Sequence, residues 1–94
     1  MKEFTYQIQD PNGMHARPAG ALASFAKQFS ASVRVRCKEK EADAKRLLAL
    51  MSLGATHGST LTFLIDGEDE DTAAPRLEEF CISNLSGTTS NKEG

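Results

Sequence analysis

The sequence predicts an α+β fold, an open-faced β-sandwich in which a four-stranded, mainly antiparallel sheet carries three helices on one face. Three observations predict it. Three segments alternate apolar and polar residues and a short polar one reads as a further strand, so each strand has at most one apolar face and one side of the sheet meets water. Three other segments repeat apolar residues at helical spacing. The connections are short, and they string the elements in the order β-α-β-β-α-β-α.

Taken in order, FTYQI at 4–8 puts Phe4, Tyr6 and Ile8 on one side of a strand. DPNG at 10–13 is turn chemistry. From Pro18 to Phe29, Ala19, Leu22, Ala23, Ala26 and Phe29 recur at helical spacing. SVRVRCK at 32–38 turns Val33, Val35 and Cys37 inward and leaves Arg34, Arg36, Lys38 and Lys40 as a basic row on the exposed sheet face. KEKEAD at 38–43 reads as a hairpin with a short third strand. AKRLLALMSLG at 44–54 is a short helix ended by glycine. THGSTLTFLIDG at 56–67 holds a strand with Leu61, Phe63 and Ile65 facing in. EDEDTAAPRLEEFCISNL at 68–85 is a helix whose core stripe is Ala74, Leu77, Phe80 or Cys81, and Asn84 or Leu85. Pro75 is tolerated there if the helix starts at Thr72, which puts the proline in the first turn. A single domain is expected over residues 1–86, with a polar tail at 87–94 expected to lack order.

The 94 residues suffice for one modest core. No run of about 18 apolar residues is present, so no membrane insertion is expected. MKEFTYQIQD lacks the apolar centre of a signal peptide, which points to the cytoplasm. Cys37 and Cys81 form no CxxC pair and are expected to be reduced and half-buried. The net charge of −2 hides an asymmetry: residues 1–46 hold nine Lys or Arg against five Asp or Glu, and residues 47–94 hold two against eight. The basic half is either a docking face for an acidic partner or a row of solvated strand residues. The acidic total and the lack of aromatics on the basic strand argue against a nucleic-acid partner.

The stretch GMHARPAG at 13–20 carries the chemistry. His15 precedes a helix whose first N–H groups lack partners inside the helix, and such an end binds anions, phosphate above all. Pro18 sits where a missing N–H costs nothing. It biases Arg17 away from the helical region, so Arg17 is either the cap or a mildly strained first-turn residue. A neutral imidazole is a nucleophile. A phosphoryl group on it would meet backbone N–H donors of the helix end and the Arg17 guanidinium, and phosphoryl transfer needs little beyond positioning and charge stabilisation. Asn12 and the Gly13 turn set the histidine's approach, with the Asn12 side chain placed to hydrogen-bond a ring nitrogen and fix the tautomer. No base, metal site or nucleotide loop accompanies them, so a carrier is expected rather than an enzyme, with no cofactor and no metal. His57 reads as a surface loop residue.

GMHARPAG resembles the active-site signature of the HPr family, the histidine-containing phosphocarriers of the bacterial phosphoenolpyruvate–sugar phosphotransferase system. KRLLALMSLG at 45–54 resembles the family's second signature, and GSTLTFLIDGEDED at 58–71 its last strand, turn and helix start. The segments lie at family spacing, so the resemblance covers residues 1 to about 85. It implies that His15 is phosphorylated on Nδ1, that Arg17 stabilises the phosphoryl group, and that Ala16 and Arg17 amides flank it. It implies enzyme I as donor and enzyme II A domains as acceptors. An alternative is a paralogue of the nitrogen-system type, a regulatory module whose phosphorylation state is read by partners.

LLALMSL at 47–53 is apolar nearly all round, yet a surface helix needs one apolar stripe. If Leu50 and Leu53 face the sheet, Leu47, Leu48 and Met51 form an outer patch suited to partners. Gly20, Ser24 and Lys27 on the preceding helix would continue it. The chain is expected to act as a monomer. Arg46 stands where Gram-positive members of the family carry a regulatory serine, which argues against control by HPr kinase.

Overall fold

The computed structural model describes residues 1–84. Its elements are β1 (Lys2–Gln7), α1 (Ala16–Ala26), β2 (Ser32–Cys37), β3 (Lys40–Asp43), α2 (Leu47–Met51), β4 (Thr60–Asp66) and α3 (Glu70–Asn84). The expected domain end at residue 86, the tail at 87–94 and Leu85 lie outside the described residues. The sheet order is β1-β4-β2-β3. Every neighbouring pair is antiparallel, with Phe4 opposite Phe63, Val33 opposite Ile65 and Val35 opposite Ala42. The open-faced sandwich is therefore present, with a sheet wholly rather than mainly antiparallel.

Alternation decides the layering. Val33, Val35, Leu61, Phe63 and Ile65 point to one side and are buried. They meet Ala19, Leu22, Ala23 and Ala26 of α1, Leu50 of α2 and Ala73, Leu77 and Cys81 of α3 in one core. Phe4 stacks on Phe63 with ring centroids 4.6 Å apart. Phe25 stacks on Phe80 at 4.5 Å, joining α1 to α3.

The differences from expectation have local causes. Helix α1 starts at Ala16 and ends at Ala26, and the chain tightens to Phe29 through Gln28 N–H to Phe25 and Phe29 N–H to Ala26. Lys45 Nζ then donates to the Phe29 carbonyl at 2.7 Å. Helix α2 is shorter than 44–54 because Arg46 N–H turns back to the Asp43 carbonyl at 3.0 Å and Arg46 becomes the N-cap. The stripe of α3 runs Ala73, Leu77, Cys81, one residue before the expected Ala74, while Asn84 is exposed. That helix begins at Glu70, so Pro75 falls in its interior, and the proline lies exposed on the outer side. Both cysteines are fully rather than half buried, and burial pushes the Cys81 thiol up to about 12.

The basic row is also broken. Lys38 occupies the hairpin turn with φ 58, and Lys40 pairs with Cys37 on the opposite face from Arg34 and Arg36. Glu41 binds both arginines, at 3.4 Å from Arg36 Nη2. The exposed sheet face thus carries compensated charge, which favours solvated strand residues over a basic docking face there. No helix among the described residues is long and apolar enough to cross a membrane.

Candidate functional site

The loop from β1 to α1 is held at three points. Gly13 N–H donates to the Asp10 carbonyl at 2.9 Å, Met14 N–H to the Ala55 carbonyl at 3.1 Å, and His15 N–H to the Gly13 carbonyl at 3.1 Å. Gly13 has φ +67, and a Cβ there would lie 2.5 Å from the Ala55 oxygen. Only glycine fits both the dihedral and the gap. Met14 is buried to 6% exposure and anchors the loop on the core.

This geometry delivers His15 as the N-cap of α1, with extended backbone and no side-chain hydrogen bond into the helix. The first helical bond is Ala19 N–H to the His15 carbonyl at 3.0 Å. Pro18 has no N–H, so the free donors of this helix end are those of Ala16 and Arg17, which find no acceptor among the described residues. The alternatives for Arg17 thereby resolve: His15 is the cap and Arg17 the second helical residue. Asn12, His15, Arg17 and Pro18 line one cleft of about 530 Å³ with Asp10, Pro11, Ala21 and Asn84.

The ring partner differs from expectation. His15 Nε2 lies 3.3 Å from Asp10 Oδ2, and the Asn12 side chain makes no hydrogen bond to the ring. Asn12 acts through its backbone, donating its N–H to Asp10 Oδ1 at 2.8 Å. That bond, assisted by the hydrogen bond from His15 and the charges of His15 and Arg17, holds the Asp10 carboxyl below its ordinary value against the opposing effect of burial. Sequence reasoning treated DPNG only as a turn. The available signal was the aspartate two residues before Asn12, an Asx-turn position that fixes a carboxylate beside the helix start. Nearby, burial raises the Tyr6 phenol, and its hydroxyl has no hydrogen-bond partner among the described residues.

The second face lies across α1 and α2. Leu48 is 77% exposed, Leu47 38% and Met51 39%, whereas Leu50 is 0% and Leu53 4% exposed. A five-residue helix against one sheet can bury only one stripe, and Leu50 takes it. The Leu47 Cδ1 lies 3.9 Å from where a Gly20 side chain would start, so the two helices abut there. Ser24 and Lys27 are exposed along the same row of α1. His57 is exposed in its loop, and Ser52 donates its hydroxyl to the Ala49 carbonyl at 2.7 Å.

Comparisons agree with this geometry. Residues 2–83 match the family model described as "PTS HPr component phosphorylation site". The chain is 42% identical over 77 residues to a phosphocarrier protein HPr of Lysinibacillus sphaericus, covering 82% of this chain and 88% of that one. It is 43% identical over 85 residues to a phosphocarrier protein HPr of Mycoplasma genitalium, covering 89% and 97%. A crystal structure of an HPr from Thermoanaerobacter tengcongensis superposes with a TM-score of 0.84 at 34% identity, covering 90% of this chain and 96% of that one. With both signatures in register on this fold, the chain belongs to the HPr family, the phosphocarrier proteins of the phosphotransferase system, and is a carrier rather than an enzyme.

Proposed function

We propose that this phosphocarrier takes a phosphoryl group from enzyme I onto Nδ1 of His15 and hands it to enzyme II A domains serving sugar uptake. The observation that carries the reading is the start of α1, where a nucleophilic ring stands as N-cap beside two unpaired N–H groups. Arg17 lines the same cleft and supplies the cation for charge that develops on the phosphoryl oxygens. Among the described residues no group hydrogen-bonds Nδ1.

Transfer requires a partner's active site to approach His15 closely. Leu47, Leu48 and Met51, with Gly20, Ser24 and Lys27, are the surface on which we place that docking, and the protein acts in it as a monomer. Arg17, Lys27, Lys45 and Arg46 steer acidic partners toward it. At Arg46 no hydroxyl is available, so HPr kinase finds no acceptor at the position of the regulatory serine.

Incubation with phosphoenolpyruvate and enzyme I tests the reading. The expected product is acid-labile, base-stable phosphate on the natural protein and none on His15→Ala, which keeps its fold. Uptake by His15→Ala refutes the site. Adding a sugar-specific enzyme II then separates sugar transport, which yields sugar phosphate, from a purely regulatory role, which does not.

A further inference from the structure

We propose that Asp10 is the positioning residue of the phosphoryl acceptor: its carboxylate keeps a proton on Nε2 of His15 and so presents Nδ1 as a lone pair. The inference rests on His15 being the residue that is phosphorylated. A neutral imidazole carries one N–H and one lone pair, and the hydrogen bond made at one nitrogen decides which is where. Asp10 Oδ2 lies 3.3 Å from Nε2. An ionised carboxylate only accepts, so the proton in that contact belongs to the ring.

Asp10 is itself fixed by the loop that carries it. Its Oδ1 accepts the Asn12 N–H at 2.8 Å, and its backbone carbonyl accepts the Gly13 N–H at 2.9 Å. Its side chain is 17% exposed, against 37% for His15. The two carboxylate oxygens therefore divide the work: one is tied to the backbone, the other to the ring. A side chain tied in this way resists rotation, so it sets the plane of the imidazole as well as its tautomer.

The arrangement serves transfer in both directions. The Nδ1 lone pair forms the N–P bond as the bond from phosphorus to the donor's leaving atom breaks, and that bond's electron pair stays on the donor. The Nε2 proton remains on the ring, which gains positive charge beside the Asp10 carboxylate. In the return step the N–P electron pair goes back to Nδ1 and the phosphoryl group leaves to the acceptor. The role is that of a buried aspartate behind a catalytic histidine, which holds the tautomer and steadies the imidazolium without itself taking the proton.

The test uses the whole chain with ¹⁵N-labelled histidine. In the natural protein the ring nitrogens of His15 should report the Nε2–H tautomer, a measurement that needs no variant. Asp10→Asn can turn an NH₂ toward Nε2 and so drive the proton to Nδ1. It should populate that second tautomer and slow phosphorylation by enzyme I roughly tenfold to a hundredfold, with the half-saturating enzyme I concentration unchanged. Asp10→Glu keeps a carboxylate and should restore the Nε2–H signature and part of the rate. An Nδ1–H ring in the natural protein overturns the proposal. So does an Asp10→Asn protein of unchanged rate, or a slow one that retains the Nε2–H tautomer, since that effect would be merely structural. Absence of phosphate on natural His15 refutes the functional reading instead, and the tautomer measurement still decides what Asp10 does.

Discussion

Helices α1 and α2 both begin without a side-chain cap, and the two starts serve opposite ends. Their N-caps, His15 and Arg46, are both extended and neither side chain bonds into its helix. A serine, threonine or aspartate at such a position contributes about 0.5–2 kcal/mol, so both sites give up stability. At α1 the preceding loop is held by Gly13 and Asp10, and His15 and Arg17 line one cleft at the unsatisfied helix end. At α2 the helix has five residues and Leu47, Leu48 and Met51 face outward, so it offers area rather than chemistry. Both starts follow a turn held by an aspartate, Asp10 through the Asn12 N–H and Asp43 through the Lys45 N–H at 2.9 Å, so the difference lies in the side chains presented: a histidine and an arginine at α1, leucines at α2.

The largest effect that probes the contrast is on α2. Leu50 is fully buried, so Leu50→Asp places an unpaired carboxylate in the core and leaves a cavity. Losing the leucine alone costs about 2–5 kcal/mol, and the charge adds to it, so the domain should be unfolded at room temperature by circular dichroism. Leu48→Asp should melt within a few degrees of the natural protein while binding enzyme I more weakly in a titration. A Leu48→Asp protein that melts as low as Leu50→Asp breaks the assignment of the two faces.

The glycines on either side of the pair give the next largest effect. Gly13 precedes α1 and Gly54 follows α2, at φ +67 and +68. A Cβ at Gly13 strikes backbone, 2.5 Å from the Ala55 oxygen and 2.8 Å from the Thr56 Cα, whereas a Cβ at Gly54 meets nothing within 4 Å. Gly54→Ala should therefore cost only the left-handed dihedral, about 1–2 kcal/mol, and leave phosphorylation intact. Gly13→Ala should cost more in thermal melts and slow phosphorylation as well, because the loop that moves carries His15. Equal effects of the two substitutions on phosphorylation would show that the loop need not be rigid.

Acid should loosen the start of α1 in a way the natural protein reveals by itself. Asp10 has its folded pKa lowered from 3.8, first by the Asn12 N–H. A lowered folded value means that its contribution is complete above the unfolded value and is lost as pH falls through the folded one. In an NMR titration downward from pH 6, the Asn12 amide should follow a midpoint below 3.8. A midpoint at or above that value would mean that Asp10 is not held, and the α1 loop would be no more rigid than any other turn.

Most of the architecture was legible because period-two alternation and helical spacing are direct consequences of burying one face. Val33, Val35, Leu61, Phe63 and Ile65 were readable as core for that reason, as were Leu50 and Leu53. Helix ends were less legible, since they depend on tertiary hydrogen bonds. The Arg46 N–H turning to Asp43 shortens α2, and the start at Glu70 carries Pro75 into the interior of α3. The stripe of α3 keeps Leu77 and Cys81 as expected and differs at its start, where Ala73 rather than its neighbour Ala74 is buried, because the two are the same residue type and helical spacing from Leu77 admits either. In the candidate site, the helix start after His15 was legible from Pro18 and the apolar spacing, while the roles expected of His15 and Arg17 came from the resemblance of GMHARPAG to the family signature. Asp10 was not legible, because its contact with His15 needs the turn closed by Gly13, and a turn motif read as punctuation conceals the side chain it aims.

The smallest effect is a gain. Arg46 sits at an extended N-cap with φ −121 and ψ 116, the backbone a capping serine adopts. The first helical bond is Leu50 N–H to the Arg46 carbonyl at 3.1 Å, so the N–H groups of Leu47, Leu48 and Ala49 have no acceptor among the described residues. The Arg46 side chain is exposed and its loss removes little packing. Arg46→Ser should place a hydroxyl within reach of the Leu48 or Ala49 N–H and stabilise the domain by about 1 kcal/mol, a rise in Tm of roughly 4–8 °C for a chain of this size. His15→Ser is the matched substitution at α1. There the third helical residue is Pro18, which has no N–H, so only the Arg17 amide can be capped and the gain should be smaller, with phosphate uptake lost. Arg46→Ser should still be phosphorylated by enzyme I, more slowly at low salt because one steering cation is lost, and become a substrate of HPr kinase, which leaves the natural protein unmodified. If Arg46→Ser fails to raise Tm, the start of α2 is set by the turn through Asp43 rather than by its missing cap, and the symmetry between the two helix starts does not hold.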